Sequence, residues 1–86
     1  MMLYKIIIAP RARKQIEKLP ENIKPRIEDI LTNILPVDPF IGKSLKADYE
    51  GLYSYRVGDY RIIYEIIKHQ LVIHIIKVAH RRDVYR

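Results

Sequence analysis

The chain has 86 residues, 49% of them apolar, no cysteine and a formal net charge of +6. That length sets one domain over residues 1–86, and the lack of cysteine excludes disulfides and thiolate metal sites. No apolar run approaches the roughly 20 residues of a membrane span, and "MMLYKIIIAP" has no basic region ahead of its apolar run, so a cytoplasmic protein without a signal peptide is expected.

"LYKIII", Leu3 to Ile8, is β-branched and stops at Ala9-Pro10, which predicts a strand. From Pro10, Ala12, Ile16 and Leu19 recur at helical spacing, with Arg11, Arg13, Lys14, Glu17 and Lys18 on the other side, until Pro20 ends the helix. Ile23, Ile27, Ile30, Leu31 and Ile34 form the stripe of a second helix, from about Ile23 to Leu35, closed by "PVDPF". The two helices should form an antiparallel hairpin laid on a sheet. Ile41 to Gly51 has no periodicity and reads as a loop. Three strands follow, at Leu52 to Val57, Tyr60 to Ile67 and Leu71 to Val78, with a type II′ turn at Gly58-Asp59 and a turn at Lys68 to Gln70. Tyr53, Tyr55, Tyr60 and Tyr64 read as structural. The tail "HRRDVYR" has too few apolar residues to join the core. The expected architecture is α+β: an N-terminal strand, a helical hairpin, then a three-stranded antiparallel meander forming one sheet.

The charge is unevenly spread. Residues 1–50 hold nine Lys/Arg against seven Asp/Glu, whereas residues 51–86 hold seven against three. A basic patch of this kind fits a polyanion, either nucleic acid or a strongly acidic protein. A two-residue loop at Gly58-Asp59 sets Arg56 opposite Arg61, and like charges facing each other in a sheet are destabilising. These arginines share a polyanion, extend to solvent from a sheet edge, or pair with Glu50 and Glu65. Arg61 should lie opposite Lys77 or Val78, so Arg56, Arg61, His80, Arg81 and Tyr85 can converge on one positive surface.

Other chemistries find little support. His69, His74 and His80 make no compact ligand motif, Gly42, Gly51 and Gly58 are isolated, and Ser44 and Ser54 are the only serines. No metal or cofactor is expected. The basic set instead suits cleavage of RNA by its own 2′-OH, which requires proton transfer and neutralisation of the phosphate oxygens. Arginines match phosphate geometry, and histidine or tyrosine can move protons.

"GLYSYRVGDYRIIYEI" followed by "VIHIIKVAHRRDVY" resembles the RelE/ParE toxin superfamily, in particular its RelE-type branch, and "YKIIIAPRARKQIEKLP" matches that family's first strand and helix. The resemblance implies two helices on an antiparallel sheet core and a type II toxin–antitoxin toxin. It further implies an mRNA interferase that cuts the message in the ribosomal A site. Arg61 of "DYR", Arg81 of "HRR" and Tyr85 match the family's functional positions, and His80 falls where members carry histidine or lysine. Some members have two lysines where this chain has Ser54 and Arg56. Arginine keeps the charge but is a poor proton carrier, so the resemblance implies His80 for proton transfer. Arg61 and Arg81 then serve the phosphate, Arg56 supports their charge, and Tyr85 stacks on a base or transfers a proton. Lys43, Lys46, Ser54, Lys77 and Arg82 are expected along the RNA and ribosome contact. Implied partners are the ribosome, mRNA and a cognate antitoxin, through which the complex binds operator DNA. The alternatives are a ParE-like DNA gyrase inhibitor with the same fold and no catalysis, or a catalytically degenerate toxin.

Overall fold

The structure is a computed structural model and describes residues 3–85. Its sheet has five strands: β1 (Lys5–Ile8), β2 (Lys43–Ser44), β3 (Leu52–Val57), β4 (Tyr60–Ile67) and β5 (Val72–His80). They lie in the order β1-β5-β4-β3-β2. β1 runs parallel to β5, and every other pair is antiparallel. The helices α1 (Pro10–Glu17) and α2 (Lys24–Asp29) follow β1 and cover one face. The expected strand–helix–helix–meander order therefore holds. The short strand β2, in a stretch whose sequence reads as loop, extends the meander by one strand.

Ile6 and Ile8 of β1, Tyr53, Tyr55 and Val57 of β3, Ile62 and Tyr64 of β4, and Ile73, Ile75 and Val78 of β5 turn toward the helices. Ala12, Ile16, Leu19, Ile23, Ile27, Leu31 and Leu35 complete this core. The last four residues of that series repeat every fourth position, and a strict four-residue repeat drifts by about 40° per step on a 3.6-residue helix. The chain absorbs the drift by widening. After Asp29 it continues as a π-helical turn over Ile30–Ile34, and the Leu35 N–H donates to the Ile30 carbonyl at 2.9 Å.

At the hairpin, Val57 pairs with Tyr60 and Gly58 alone takes a positive φ, of 59°, as a type II′ turn requires. On the β2 side, the buried Tyr64 hydroxyl donates to the Pro39 carbonyl at 2.7 Å and accepts the Gly42 N–H at 3.1 Å. Gly42 suits this close approach, because a side chain there would collide with that hydroxyl. Burial of the phenol pushes its pKa up to about 12.

β5 departs from the expected register. From Ile67↔Val72 to Tyr64↔Ile75 the pairing is regular, and it then steps to Ile63↔Lys77, leaving Ile76 as the extra residue of a bulge. β5 also runs on past Val78 to His80. Arg61 consequently lies opposite Ala79, not Lys77 or Val78. Beyond the end of β1, α1 takes over the edge of β5: Gln15 Oε1 accepts the Val78 N–H at 2.8 Å. The tail corrects a second expectation. Val84 is 2% exposed and packs on the sheet face opposite the helices, beside Leu52, Ile63 and Ile76.

Candidate functional site

Cross-strand pairing and alternation draw a grid on the face away from the helices. One row runs Lys43–Ser54–Ile63–Lys77, and the next runs Arg56–Arg61–Ala79. Arg56 and Arg61 are direct partners, yet their guanidinium groups diverge. Arg56 Nε donates to the Gly58 carbonyl at 3.2 Å, whereas Arg61 Nη1 reaches back to Ser54 Oγ at 3.4 Å. Ser54 is only 3% exposed and gives the half-buried Arg61 a neutral acceptor. Glu65 takes neither arginine; it faces His74 across the strands at 4.0 Å. Among the described residues, the two positive charges thus sit on one face without a carboxylate paired to either.

Arg81 joins this row from the end of the sheet. Its N–H donates to the Asp59 carbonyl at 2.7 Å, and its Nε lies 3.9 Å from the Asp59 carboxylate. Both side chains are exposed, so the ion pair is weak and open to exchange for a phosphate. Arg82 turns to Asp83 at 3.8 Å.

His80 does not join the arginines. It pairs with Tyr60, meets that ring edge-on at 5.4 Å, and borders a cleft with Pro20, Ile23 and Arg26 on the helix side. The bulge is the reason. One extra residue at Ile76 reverses the alternation beyond it, sending Val78 and His80 toward the helices and Lys77 and Ala79 to the arginine face. His80 Nδ1 accepts the Arg82 N–H at 3.2 Å, which ties the histidine to the turn carrying Arg81 and Arg82.

Lys77 takes the vacated side. It stands opposite Ile63 and diagonal to Arg61, within reach of a long side chain. Its ammonium pKa is lowered, first by burial and then by the Arg11 charge on α1, with Asp83 opposing. Tyr85, 46% exposed, rests against Tyr49 at 5.1 Å between ring centroids. Lys43, registered with Ser54, is exposed at the β2 end of the same side, and Lys46 is exposed in the loop that follows. Among the described residues, no three His, Cys, Asp or Glu side chains gather closely enough to share a metal ion.

Sequence reasoning missed two contributors. Tyr49 lies in an aperiodic stretch and meets Tyr85 from 36 positions away, so no local signal marks it. Val84 was hidden by its charged neighbours, although "DVY" is itself a minimal polar–apolar alternation.

A sequence model of the ParE toxin of the type II toxin–antitoxin system parDE matches residues 6–85. Toxin RelE of Mycobacterium tuberculosis is 36% identical over 84 residues, which cover 96% of this chain and 87% of that protein. Toxin RelG of the same organism is 33% identical over 86 residues, 99% of each chain. The toxin–antitoxin complex RelBE2 of M. tuberculosis contains a chain that superposes with a TM-score of 0.85 at 30% identity, covering 92% of this chain and 99% of that one. The matched span holds the arginine hairpin, the bulged strand and the tail through Tyr85, and the chain belongs to the RelE/ParE family of type II toxin–antitoxin toxins, in its RelE-type branch.

Proposed function

We propose that this toxin is an endoribonuclease that cuts mRNA in the ribosomal A site through attack of the RNA 2′-OH on the adjacent phosphorus. The observation that carries this reading is the Arg56–Arg61 pair, set side by side on one face with Arg81 at the end of the row. Arg61 and Arg81 bind the non-bridging oxygens and stabilise the charge that grows on them, and Arg56 adds supporting charge. Lys77 takes the 2′ proton in place of His80, because it shares the arginine face and because partial burial and the Arg11 charge lower its ammonium pKa. The O2′–P bond forms, the P–O5′ bond breaks, and the Tyr85 hydroxyl protonates the leaving O5′. The products are a 2′,3′-cyclic phosphate and a free 5′-OH, and no metal enters the steps. Lys43, Lys46 and Arg82 guide the RNA and the ribosome, while Ser54 holds Arg61 in place.

The cognate antitoxin covers the same face with an acidic or amphipathic segment, and the complex reaches operator DNA through the antitoxin. The solved RelBE2 relative is a toxin–antitoxin complex, which supports an antitoxin partner here. A second reading, inhibition of DNA gyrase, is favoured by the parDE description of the matched family. Cleavage of a defined message on purified ribosomes separates the two, with a parallel reaction lacking ribosomes. Cuts confined to the A-site codon and lost in Arg81→Ala support the ribonuclease. Lys77→Gln should lower the rate more than His80→Ala, and the reverse order would return the proton to His80. Intact message together with blocked supercoiling by gyrase would replace the ribonuclease with the gyrase inhibitor.

A further inference from the structure

The loop between β2 and β3 makes a detour. The Leu45 N–H donates to the Leu52 carbonyl at 2.9 Å and closes its base, and the residues between turn out as a single 3-10 turn, Ala47–Tyr49. Two positive φ angles shape it, 91° at Gly51 and 57° at Ala47. Ala47 has a Cβ, so its left-handed conformation is strained, and such strain persists only where the surroundings over-determine it. What the turn achieves is the placement of Tyr49. That hydroxyl donates to the Tyr85 carbonyl at 3.3 Å, and the two rings meet at 56° with centroids 5.1 Å apart. Beneath them, Val84 closes a small cavity lined by Leu52, Ile63, Ile76 and Lys77. The tail is therefore gripped at two points: Arg81 by the β3–β4 hairpin and Tyr85 by this loop.

We propose that Tyr49 is a positioning residue, which sets the pose of Tyr85 beside Lys77 and acts on RNA only through it. The proposal rests on the ribonuclease reading for its kinetic consequence and on the contact alone for its structural one. A ring fixed in advance loses little freedom when substrate arrives, and misplacement of a catalytic group by about 1 Å costs as much as 10²-fold.

The test is a double-mutant cycle in single-turnover cleavage on programmed ribosomes. Tyr49→Ala should lower the rate at saturating toxin about tenfold, with the half-saturating concentration unchanged. Tyr49→Phe, which keeps the ring, should recover most of that loss. In a Tyr85→Ala background, adding Tyr49→Ala should cost nothing more. An equal loss in both backgrounds overturns the proposal. The second arm is nuclear magnetic resonance of ring-labelled tyrosine in the Arg81→Ala protein, where Tyr49→Ala should move the Tyr85 ring signals. Signals that stay in place overturn the contact itself. If the wild type cuts nothing, the ribonuclease reading fails, and the Tyr85 signals alone decide whether Tyr49 holds the tail.

Discussion

Arg56 and Arg61 resolve a conflict that pairing alone would leave costly. Each guanidinium finds a neutral oxygen in the opposite direction, so the two charges share a face without sharing a hydrogen-bond partner. A phosphate entering between them meets donors that no carboxylate has neutralised. On the ribonuclease reading, removing a phosphate-binding arginine should be felt in catalysis: Arg61→Ala and Arg81→Ala are each expected to slow cleavage by about 10²–10³-fold. Arg81 is exposed, so its variant should melt within a degree or two of the wild type by circular dichroism. Tyr64 is the opposite case, a polar group wholly structural in use. Its folded pKa of about 12 lies above the ordinary 10.0. Stability from the neutral phenol is thus fully present below pH 10 and is lost as pH rises toward 12, because the unfolded chain ionises first. That difference corresponds to about 3 kcal/mol. Urea titrations at pH 9 and pH 12 should show Tyr64→Phe losing less stability across the interval than the wild type. Equal losses would remove Tyr64 from the alkaline transition.

At the scale of elements, the bulge at Ile76 decides which chemistry each face receives. Deleting Ile76 would remove the extra residue and leave Lys77, Val78 and His80 on their present faces, since the pairs on either side of the bulge stay the same. Because Val78 is buried on the helix side of the bulge, Val78→Ala is expected to cost about 2 kcal/mol, read from the urea midpoint. Gln15→Ala should cost about 1 kcal/mol, since the Val78 N–H then lacks an acceptor at an edge that β1 no longer covers. The order of elements was legible because β-branched runs, helical stripes and Gly58-Asp59 are local signals that tertiary packing did not override. The same logic gave the Arg56–Arg61 pairing. The position of His80 was not legible, since "VIHIIKVAH" offers no glycine to mark the extra residue. Parity in a strand is cumulative, so one unmarked residue misplaces everything after it. The strand β2 was equally hidden: two exposed residues carry no hydrophobic pattern. Likewise, the contact of Tyr49 with Tyr85 is made by a turn whose strain sits at an ordinary alanine.

For the whole molecule, the charge excess and the fold point the same way. Residues 51–86 supply +4 of the net +6, and the sheet gathers Arg56, Arg61, Lys77 and Arg81 at one side. Binding to single-stranded RNA should weaken with salt, each phosphate contact contributing about −0.7 to the slope of log K against log salt. Replacing Arg56, Arg61 and Arg81 by alanine together should flatten that slope by about 2. An unchanged slope would place the RNA elsewhere. Val84 links this surface to the fold, because the tail that bears Tyr85 is anchored by burying it.

The parallel pairing of β1 with β5 has a consequence in time. Lys5 is registered with Val72, so β1 finds its neighbour only after both helices and the strands β2 to β4 have been synthesised. β5 is also the strand that brings in Lys77 and leads into Arg81 and Tyr85. The nascent toxin consequently stays unfolded and unarmed while it is being made, and so long-range a closure is slow to form. A cell thereby gains an interval in which antitoxin can gather before the folded toxin exists. Ribosome-stalled chains ending at Gln70 should be digested rapidly by protease, whereas released full-length chains resist. Protection of the stalled chain would show that the order of synthesis imposes no such delay.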